Sequence, residues 1–309
     1  MYGRVNAFYP SLMIEYNFLT RNTSDKNIYK EIYDIRVKLK KEGKKKEQAP
    51  YKICLNSQYG VTKDRNSKSY DPMQANNICI NGQLLILDLL EKLEGHISLI
   101  QTNTDGIIYS VEAKEEENVK KICSDWCKRT RMGMGFDEIT EIWQGNVNSY
   151  IFRFANGKLE RKGGLVGELN ALNYDLPIVN KAMVAYLTED VPVDETIHNC
   201  DSLMEFQRIV RVSSKYDFAL YGREKLYQKT FRIFASKDVN DKLIKKGKND
   251  GTVSKFDDTS EHCFIYNKDV TKAKCSDFPK LDKQWYIDLA KKRLEKSFGV
   301  VFDKGLFDI

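Results

Sequence analysis

The sequence lacks several features that would assign it to large classes of protein. No apolar run approaches the ~18 residues of a membrane-spanning helix. The opening residues, MYGRVNAFYP, do not have the basic and then apolar order of a secretory signal. There is no internal repeat, no Gly-x-x-x-x-Gly-Lys loop and no Gly-x-Gly-x-x-Gly pattern. The sequence therefore predicts neither a membrane span, nor a repeat fold, nor the two common phosphate-binding loops.

Histidine is scarce and cysteine is scattered. The three histidines show no spacing of metal ligands, and His262-Cys263 is only a weak metal pair. The seven cysteines are odd in number, and although Cys123 and Cys127 share a helix face, no second pair completes a zinc site. We interpret all seven as reduced intracellular thiols, so neither a zinc centre nor a disulfide framework is predicted.

The composition that remains is typical of a folded protein with a small basic excess. Hydrophobic residues are 41% of the 309 positions, so a sizeable core and two or three subdomains are expected. Fifty lysines and arginines give a net charge of +6. This excess permits a polyanionic partner, and the positions of the basic residues matter more than their number.

The stretch Leu99–Val111, LIQTNTDGIIYSV, predicts a β-hairpin. Two strand-like arms flank the polar tip Asn103-Thr104-Asp105-Gly106, which carries an Asp-Gly turn signal. A carboxylate held at such a tip points out of the sheet and can bind a metal ion. The alternative is that Asp-Gly only makes the turn.

Residues 27–60 predict two helices. In the first, apolar residues recur at helical spacing, and basic residues that include Arg36 and Lys40 follow them. We expect Lys44–Lys46 to form a solvated loop that ends at Pro50, with the second helix starting near Tyr51. On that helix Lys52, Asn56 and Tyr59 share one face, which is either a mixed surface stripe or a phosphate-binding face with a ring for stacking.

Further elements are predicted on both sides of the hairpin. A long buried helix is expected over 75–94 and another helix from Glu115 to about Arg131, which favours an antiparallel sheet with helices on one face. Residues 136–168 read as short strands with an Asn156-Gly157 turn. Three basic residues follow this turn, namely Lys158, Arg161 and Lys162. They precede Gly163-Gly164, where a backbone can approach a phosphate closely.

The last 140 residues are expected to be mostly helical and mixed. Within them we predict a strand over 226–235, a basic loop at KLIKKGKNDGT and an amphipathic helix from Trp285. Two more helices are predicted, over 181–187 and 200–212.

Three stretches resemble the motifs of family B DNA polymerases, in the same order. VNAFYPSLM resembles motif A, D-x-x-S-L-Y-P-S, and TNTDG resembles motif C, D-T-D-S. KICLNSQYG matches motif B, K-x-x-x-N-S-x-Y-G, at every defined position. NSYIFRFANGKLERKGG is similar to the K-x-Y region and the K-G element that grips the primer–template duplex. The resemblance is strong over residues 5–165, and beyond them the chain looks like the thumb of phage-encoded members.

This resemblance implies an α+β polymerase right hand, with an antiparallel palm sheet, helical-hairpin fingers and a mostly helical thumb. The implied divisions are palm at 5–26, fingers at 27–60, palm with the motif C hairpin and primer grip at 61–165, and thumb with the C-terminal region at 166–309. The implied activity is template-directed addition of dNTPs to a primer 3′ end by two-metal nucleotidyl transfer. The implied cofactor is Mg²⁺, as two ions, and the implied partners are primer–template DNA and dNTPs.

The resemblance also assigns residues. The implied catalytic residues are Asp105, Lys52 and Tyr9, with Tyr9 as the steric gate against a 2′-hydroxyl, and the implied metal ligands are Asp105 and the Val5 backbone carbonyl. The implied nucleotide-binding residues are Lys52, Asn56, Tyr59, Arg36 and Tyr9, and Lys40 is a further candidate phosphate contact. The implied DNA-binding residues are Thr104, Tyr150, Lys162 and Gly163.

Two departures from the motifs bear on catalysis. Asn103 stands where motif C has its first, less critical aspartate. Arg4 stands where motif A has its aspartate, and a guanidinium cannot bind Mg²⁺ and would repel it. Agreement begins abruptly at Val5, so we expect the missing acid on an N-terminal segment encoded upstream or separately. Asp137 and Glu138 are weak alternative acids, and a non-catalytic DNA-binding fragment or inactive remnant is the rival hypothesis. A phage enzyme of this kind would work in the host cytoplasm.

Overall fold

The computed structural model describes residues 1–248 and 251–302. Within it the chain divides into two units, Met1–Ile139 and Thr140–Ile309, here called the first and the second unit. Among the described residues, no helix has the length and apolarity needed to cross a bilayer. The motif A, B and C stretches lie in the first unit, and the stretch similar to the K-G element lies in the second.

The first unit combines one antiparallel sheet with five α-helices among its described residues. The strand order is β2-β3-β1-β4. The elements run β1 (Tyr2–Val5), α1 (Phe8–Glu15), α2 (Asn27–Lys41), α3 (Lys45–Val61), α4 (Pro72–Leu93), β2 (Ser98–Asn103), β3 (Gly106–Ser110), α5 (Glu116–Thr130) and β4 (Met134–Asp137).

The predicted hairpin forms, with strands β2 and β3 joined at Thr104-Asp105. Asn103 pairs with Gly106, and the Asn103 side chain accepts a hydrogen bond from the Thr104 N–H at 2.8 Å. Ile107 and Tyr109, two residues apart on one face of β3, are fully buried in a cluster with side chains from α1, α4 and α5. Ile108, on the opposite face, is also buried, so β3 is an inner strand covered on both faces.

The two helices predicted over residues 27–60 also form, but the second begins six residues earlier than expected. Helix α3 starts at Lys45 and contains Pro50, so the prediction of a loop over Lys44–Lys46 was wrong for most of that run. Gly43, at φ 73°, turns the chain between the two helices. Proline removes one backbone donor near the start of α3, and the turns that follow continue the helix.

The long helix predicted over 75–94 is confirmed as α4, but it is not buried all round. Ile80, Leu84 and Leu87 follow one face at helical spacing, and each is at least half exposed. The opposite face packs against α1, because Gly82 leaves room for Phe8 and Leu12. A Cβ at Gly82 would lie 3.3 Å from the Phe8 ring.

The start of α4 is anchored by an ion pair between the buried Asp71 and the exposed Arg21, which no motif includes. Asp71 is the N-cap of α4, its side chain is 2% exposed, and it accepts from the Gln74 N–H. Arg21 donates to both carboxylate oxygens, at 2.9 and 2.8 Å, and these bonds lower the pKa of Asp71 to about 2. The pair fixes the chain after α1 against the beginning of α4.

We expect Arg21→Ala to lower the free energy of unfolding at pH 7 by more than the loss of a fully exposed ion pair does, since Asp71 stays buried without its partner. The pKa of Asp71 is depressed in the folded state, so this contribution is complete above about pH 4. It is lost as the pH falls towards 2. Urea unfolding across this range should show the two proteins converging in acid.

The control for this prediction is Lys30→Ala. Lys30 and Asp34 form an i,i+4 pair on α2 in which both side chains are 57% exposed. An exposed pair of this kind contributes less than about 0.5 kcal/mol. Equal losses for the two variants would contradict a special role for the Arg21–Asp71 pair.

The second unit holds three antiparallel sheets in the part that the structure describes. Their orders are β5-β6-β7, β14-β11-β8 and β10-β9-β12-β13. The helices are α6 (Pro177–Glu189), α7 (Val193–Asn199) and α8 (Lys283–Phe298). The strands are β5 (Ile139–Asn146), β6 (Ser149–Phe154), β7 (Leu159–Lys162), β8 (Arg208–Arg211), β9 (Tyr216–Tyr221), β10 (Glu224–Leu226), β11 (Thr230–Ala235), β12 (Leu243–Gly247), β13 (Val253–Lys255) and β14 (Cys263–Ile265).

Several expectations for this unit hold and several fail. The Asn156-Gly157 turn joins β6 to β7, and helices form over 181–187 and from the region of Trp285. The expectation of a mostly helical region after 166 was wrong, because seven strands occupy 208–265. The expected helix over 200–212 is a 3-10 turn followed by β8, and the expected strand over 226–235 is divided between β10 and β11.

The basic stretch KLIKKGKNDGT was also predicted wrongly where it is described. Its Leu243–Gly247 part is strand β12, which pairs with β9 and β13. Residues 249–250 of the same stretch lie outside the described residues. Strand β12 depends on pairing with β9, whose residues lie more than twenty positions away, as well as with β13, and short apolar runs do not distinguish such strands from helix.

Candidate active site

The tip of the hairpin lies directly beside the end of β1. Arg4 pairs with Gly106, and the Val5 N–H donates to the Asp105 carbonyl oxygen at 2.7 Å. Gly106 allows this approach, because a Cβ there would lie 2.8 Å from the Gly3 carbonyl oxygen and 2.9 Å from the Tyr2 ring. The two strands therefore bring the backbones of Asp105 and Val5 together at one end of the sheet.

Arg4 stands at the same edge and carries a positive charge there. Its Nε donates to the Tyr2 hydroxyl at 3.0 Å, and its guanidinium carbon lies 4.6 Å from the centre of the Tyr2 ring. Burial of Tyr2 and half-burial of Arg4 make the neighbourhood of Asp105 less aqueous than an open surface. The Arg4 backbone therefore lies next to Asp105, whereas its guanidinium is turned towards Tyr2.

A left-handed residue connects β1 to α1. Ala7 has φ 46° and ψ 48°, a conformation that is strained for a residue with a Cβ, and α1 begins at the next residue. The turn reverses the chain within three residues of Arg4. It places Tyr9, on the first turn of α1, near the hairpin tip. Asp105 is close enough to Tyr9 to be among the charges that raise the pKa of this tyrosine.

Tyr9 and Tyr59 form a ring pair between α1 and α3. Their ring centres are 4.6 Å apart with an angle of 59° between the planes. Burial, followed by the Cys79 thiol, Tyr59 and Asp105, raises the pKa of Tyr9 to about 12, and the pKa of Tyr59 is also raised, chiefly by burial. Both phenols are therefore neutral at physiological pH.

Sequence reasoning missed two side chains that hold Tyr59. The Tyr59 hydroxyl lies 2.7 Å from the Sγ of Cys79 on α4, and the Nζ of Lys63 lies 4.4 Å from the Tyr59 ring centre. Lys63 follows the end of α3 and Cys79 is twenty residues further along the chain than Tyr59. Neither belongs to a motif, and no local pattern in the sequence pointed to them.

A cavity of about 370 Å³ lies between α2 and the turn that follows β1. Basic residues of α2, including Arg36 and Lys40, line one side, and Asn6 and Ala7 line the other together with Gly133. Arg36 also donates to the Gln48 side chain of α3 at 3.4 Å. A cavity with guanidinium and ammonium groups on one side and main chain on the other can bind a phosphate chain.

Lys52 and Asn56 lie on α3, two turns and one turn before Tyr59, and both are exposed. They occupy the same helix face as predicted from the motif B spacing. Of the motif B residues, Tyr59 is the one in contact with Tyr9. Thr104 is exposed at the hairpin tip, next to Asp105.

The remaining predicted DNA-binding residues lie in the second unit. Tyr150 pairs with Lys162 across β6 and β7, and the Lys162 Nζ lies 5.7 Å from the Tyr150 ring centre. Tyr150 is 3% exposed and Lys162 is exposed. Gly163, at φ 104°, contacts the Asn148 carbonyl so closely that a Cβ there would lie 2.8 Å from it.

Arg161, unlike Lys162, is not an exposed basic residue, because its guanidinium makes hydrogen bonds within the protein. Its guanidinium donates to the carbonyl oxygens of Val166 and Gly167 and to the Asn180 side chain. Burial lowers its pKa. The expectation that it faces a phosphate is therefore wrong, because its donors fold the loop after β7 onto α6.

The donor set at the hairpin tip suits one Mg²⁺ ion better than two. Asp105 and the Val5 carbonyl are oxygen ligands, which Mg²⁺ prefers, and this ion often binds few protein groups and several phosphate oxygens. No cluster of three or more His, Cys, Asp or Glu side chains that could hold a metal occurs in residues 1–248 and 251–302. Asp137 pairs with Tyr2, two residues from Arg4, so it does not replace the missing motif A acid at this edge.

Glu138 is also directed elsewhere. Burial lowers the pKa of the Met1 N-terminal amine, and Glu138 is close enough to that amine to oppose part of this shift. Met1 precedes the strand at the end opposite to Val5. The residues present therefore fit a single ion at Asp105 and do not fit a second ion held by an acid at position 4.

Comparison with known proteins gives one informative result. No protein-family model and no curated protein matches the chain. Among solved structures, the chain is similar to the family B DNA polymerase from the hyperthermophilic archaeon Pyrobaculum calidifontis, with a TM-score of 0.57 and 15% identity. The match covers 98% of this chain and 45% of the archaeal chain, so the protein spans less than half of that polymerase. At this identity the likeness concerns the fold, which is like that of a family B DNA polymerase.

Proposed function

We propose that the chain is the palm, fingers and thumb portion of a phage-type family B DNA polymerase that adds dNTPs to a primer 3′ end as directed by a template. The observation that carries this proposal is the junction of β1 with the hairpin tip, where the motif A and motif C stretches meet through the Val5–Asp105 hydrogen bond. The polymerase-like fold and the ordered motifs support it. The proposed divisions are 5–26, 27–60, 61–165 and 166–309.

Each group has a proposed task in positioning the substrates. Arg36 and Lys40, with Lys52 and Asn56 from α3, bind the triphosphate, whose charge matches the basic lining of the α2 cavity. Tyr9 lies under the sugar and rejects a 2′-hydroxyl, and Tyr59 contacts the new base pair. Correct placement of the reacting groups supplies much of the rate in such a reaction.

Two further groups of residues have proposed contacts with nucleic acid and metal. In the second unit, Lys162 and Gly163 bind the phosphates of the duplex and Tyr150 the primer end, while Thr104 contacts DNA beside the hairpin tip. Asp105 and the Val5 carbonyl are the proposed ligands of Mg²⁺. When bound, this ion would neutralise phosphate charge and make the primer hydroxyl more acidic.

Primer extension tests the proposal directly. With Mg²⁺ and a primed template, the chain should add the complementary dNTP and reject the other three. Binding to the primed duplex should weaken as salt rises, because lysines and arginines displace counterions from the DNA. Addition without regard to the template, or binding that does not change with salt, would contradict the proposal.

A second candidate function is favoured by one observation. Arg4, a cation that cannot bind Mg²⁺, stands where the motif A acid is expected, and its backbone pairs with Gly106 next to Asp105. This favours a non-catalytic DNA-binding fragment or inactive remnant, which would bind primed duplex with the same salt dependence and extend nothing. Extension separates the two candidates, and duplex binding does not.

We expect the double variant Arg36→Gln, Lys40→Gln to bind dNTP about tenfold more weakly in the presence of a primer–template, since two charge-assisted contacts are removed. Lys38→Gln is the matched control, because Lys38 is exposed on the same helix and does not line the cavity. Equilibrium titration with a dideoxy-terminated primer measures both. An equal loss for Lys38→Gln would show that only the total charge of α2 matters.

A further inference from the structure

Cys79 lies behind the Tyr9–Tyr59 ring pair, outside every motif. It is half-buried on α4, with its Sγ 2.7 Å from the Tyr59 hydroxyl oxygen. We propose that Cys79 is a positioning residue for sugar selection, which holds the Tyr59 ring against Tyr9 through this hydrogen bond. The inference rests on the proposed function, and deepens it by naming a residue on which the specificity of the site depends.

Tyr59 is held from three sides. Tyr9 packs on the ring at 4.6 Å, the Lys63 Nζ lies 4.4 Å from the ring centre, and Cys79 meets the hydroxyl. The Lys63 Nζ is also 4.0 Å from the Cys79 Sγ, and the hydrogen bond with Tyr59 raises the pKa of Lys63, so this lysine stays charged. A ring with its hydroxyl bonded and its face covered keeps one orientation.

The position of Tyr9 depends on this orientation because its ring packs on the Tyr59 ring, and Cys79 is a neighbour of both phenols. The neighbouring Phe8 ring is 6.3 Å from Tyr9 and faces α4, where Gly82 lies one turn after Cys79. Helix α4 therefore fixes α1 through Gly82 and fixes Tyr59 through Cys79. The Tyr9 ring lies between these two supports, and because the Cys79 thiol also raises the pKa of Tyr9, a change at Cys79 reaches Tyr9 both directly and through Tyr59.

The size of the effect follows from the loss of one hydrogen bond. A neutral, partly buried hydrogen bond contributes about 0.5–1.5 kcal/mol, which corresponds to about a 2- to 10-fold change in an equilibrium constant. A steric gate discriminates by the position of its ring, so a looser Tyr59 admits the 2′-hydroxyl more readily. We expect the effect mainly in the binding of ribonucleotides.

The test measures the ratio of the dissociation constants of ATP and dATP. The protein is bound to a primer–template with thymine as the next template base and a dideoxy-terminated primer, so that no chemistry is required. Cys79→Ala should lower the ratio about 3- to 10-fold, chiefly by tightening ATP. Cys79→Ser, which keeps a hydroxyl near the thiol position, should stay within about twofold of the unmodified protein.

Two controls separate positioning from a general loss of stability. Cys127→Ala removes another half-buried thiol of the first unit, on α5, and should leave the ratio unchanged. Tyr59→Phe should lower the ratio, and adding Cys79→Ala to it should cause little further change, because both remove the same bond. A merely structural role for Cys79 would give additive effects in this cycle.

Each outcome decides the inference. An unchanged ratio in Cys79→Ala, or additive effects in the double variant, overturns it and leaves the proposed function intact if dATP still binds. Failure of the unmodified protein to bind either nucleotide overturns both. A lowered ratio that is restored by serine and is non-additive with Tyr59→Phe supports the positioning role.

Discussion

Asp105→Asn should reduce primer extension by at least about a hundredfold while leaving duplex binding unchanged. The substitution keeps the shape of the side chain but removes the carboxylate charge beside Val5, and a metal-binding charge contributes several kcal/mol to such a transition state. The hairpin should keep its form, because the turn depends on Gly106 and on the hydrogen bond from the Thr104 N–H to the Asn103 side chain.

The experiment includes a readout that does not need activity. Binding of Mn²⁺, followed by electron paramagnetic resonance, should weaken at least about tenfold in Asp105→Asn. Asp125→Asn is the control, since Asp125 lies exposed on α5 in a pair with Lys128. Extension within about tenfold of the unmodified protein would exclude Asp105 as the metal ligand.

Arg4→Asp should raise both primer extension and Mn²⁺ affinity, and this is the second largest effect that we expect. It replaces a cation beside Asp105 with an acid at the motif A position, so both the repulsion of Mg²⁺ and the missing ligand are corrected. We expect Mn²⁺ to bind at least about tenfold more tightly and extension to rise about a hundredfold. The same assays measure both quantities.

Arg4→Gln separates the two contributions. Glutamine removes the positive charge and adds no carboxylate, so its gain in Mn²⁺ affinity should be the smaller one. Arg131→Gln serves as a control for the loss of a cation over a ring, since Arg131 lies 5.5 Å from the Tyr16 ring centre, as Arg4 lies over Tyr2. If Arg4→Asp binds Mn²⁺ no better than Arg4→Gln, position 4 does not belong to a metal site.

A failure of Arg4→Asp to gain extension would favour the non-catalytic candidate, provided that Mn²⁺ affinity does rise. In that case the metal site is restored and the chemistry is still absent. If extension is already substantial with Arg4 in place, the chain works with fewer carboxylates than the resemblance implies. The outcome therefore distinguishes an inactive remnant from an enzyme with an altered metal site.

Several parts of the site were predictable from the sequence because their signals are local. The alternation and the Asp-Gly turn in 99–111 specified the β2–β3 hairpin, and the spacing of Lys52, Asn56 and Tyr59 specified one helix face. The order of the motif-like stretches led to a polymerase-like fold, which the structural comparison agrees with. Whether Arg36 and Lys40 bind nucleotide remains a prediction.

Other parts could not be predicted because their signals are not local. The Tyr59–Cys79 and Arg21–Asp71 contacts join residues twenty and fifty positions apart. The use of Arg161 inside its own unit depends on where α6 lies. The strands over 208–265 form because their partners are available in space, and a mixed apolar and basic sequence does not reveal such partners.

The amino-acid sequence by itself therefore determined the hairpin tip, the helices α2 and α3 and the order of the motif-like stretches, since turns and periodicity are encoded within a few residues. Only the tertiary structure decided which groups meet at the tip. It set the backbone of Arg4 opposite Gly106, next to Asp105, through the antiparallel pairing of β1 and β3, and it set Cys79 against Tyr59 through the packing of α3 and α4. Such meetings depend on burial of the whole unit, because a contact between distant residues forms only where the core holds both in place.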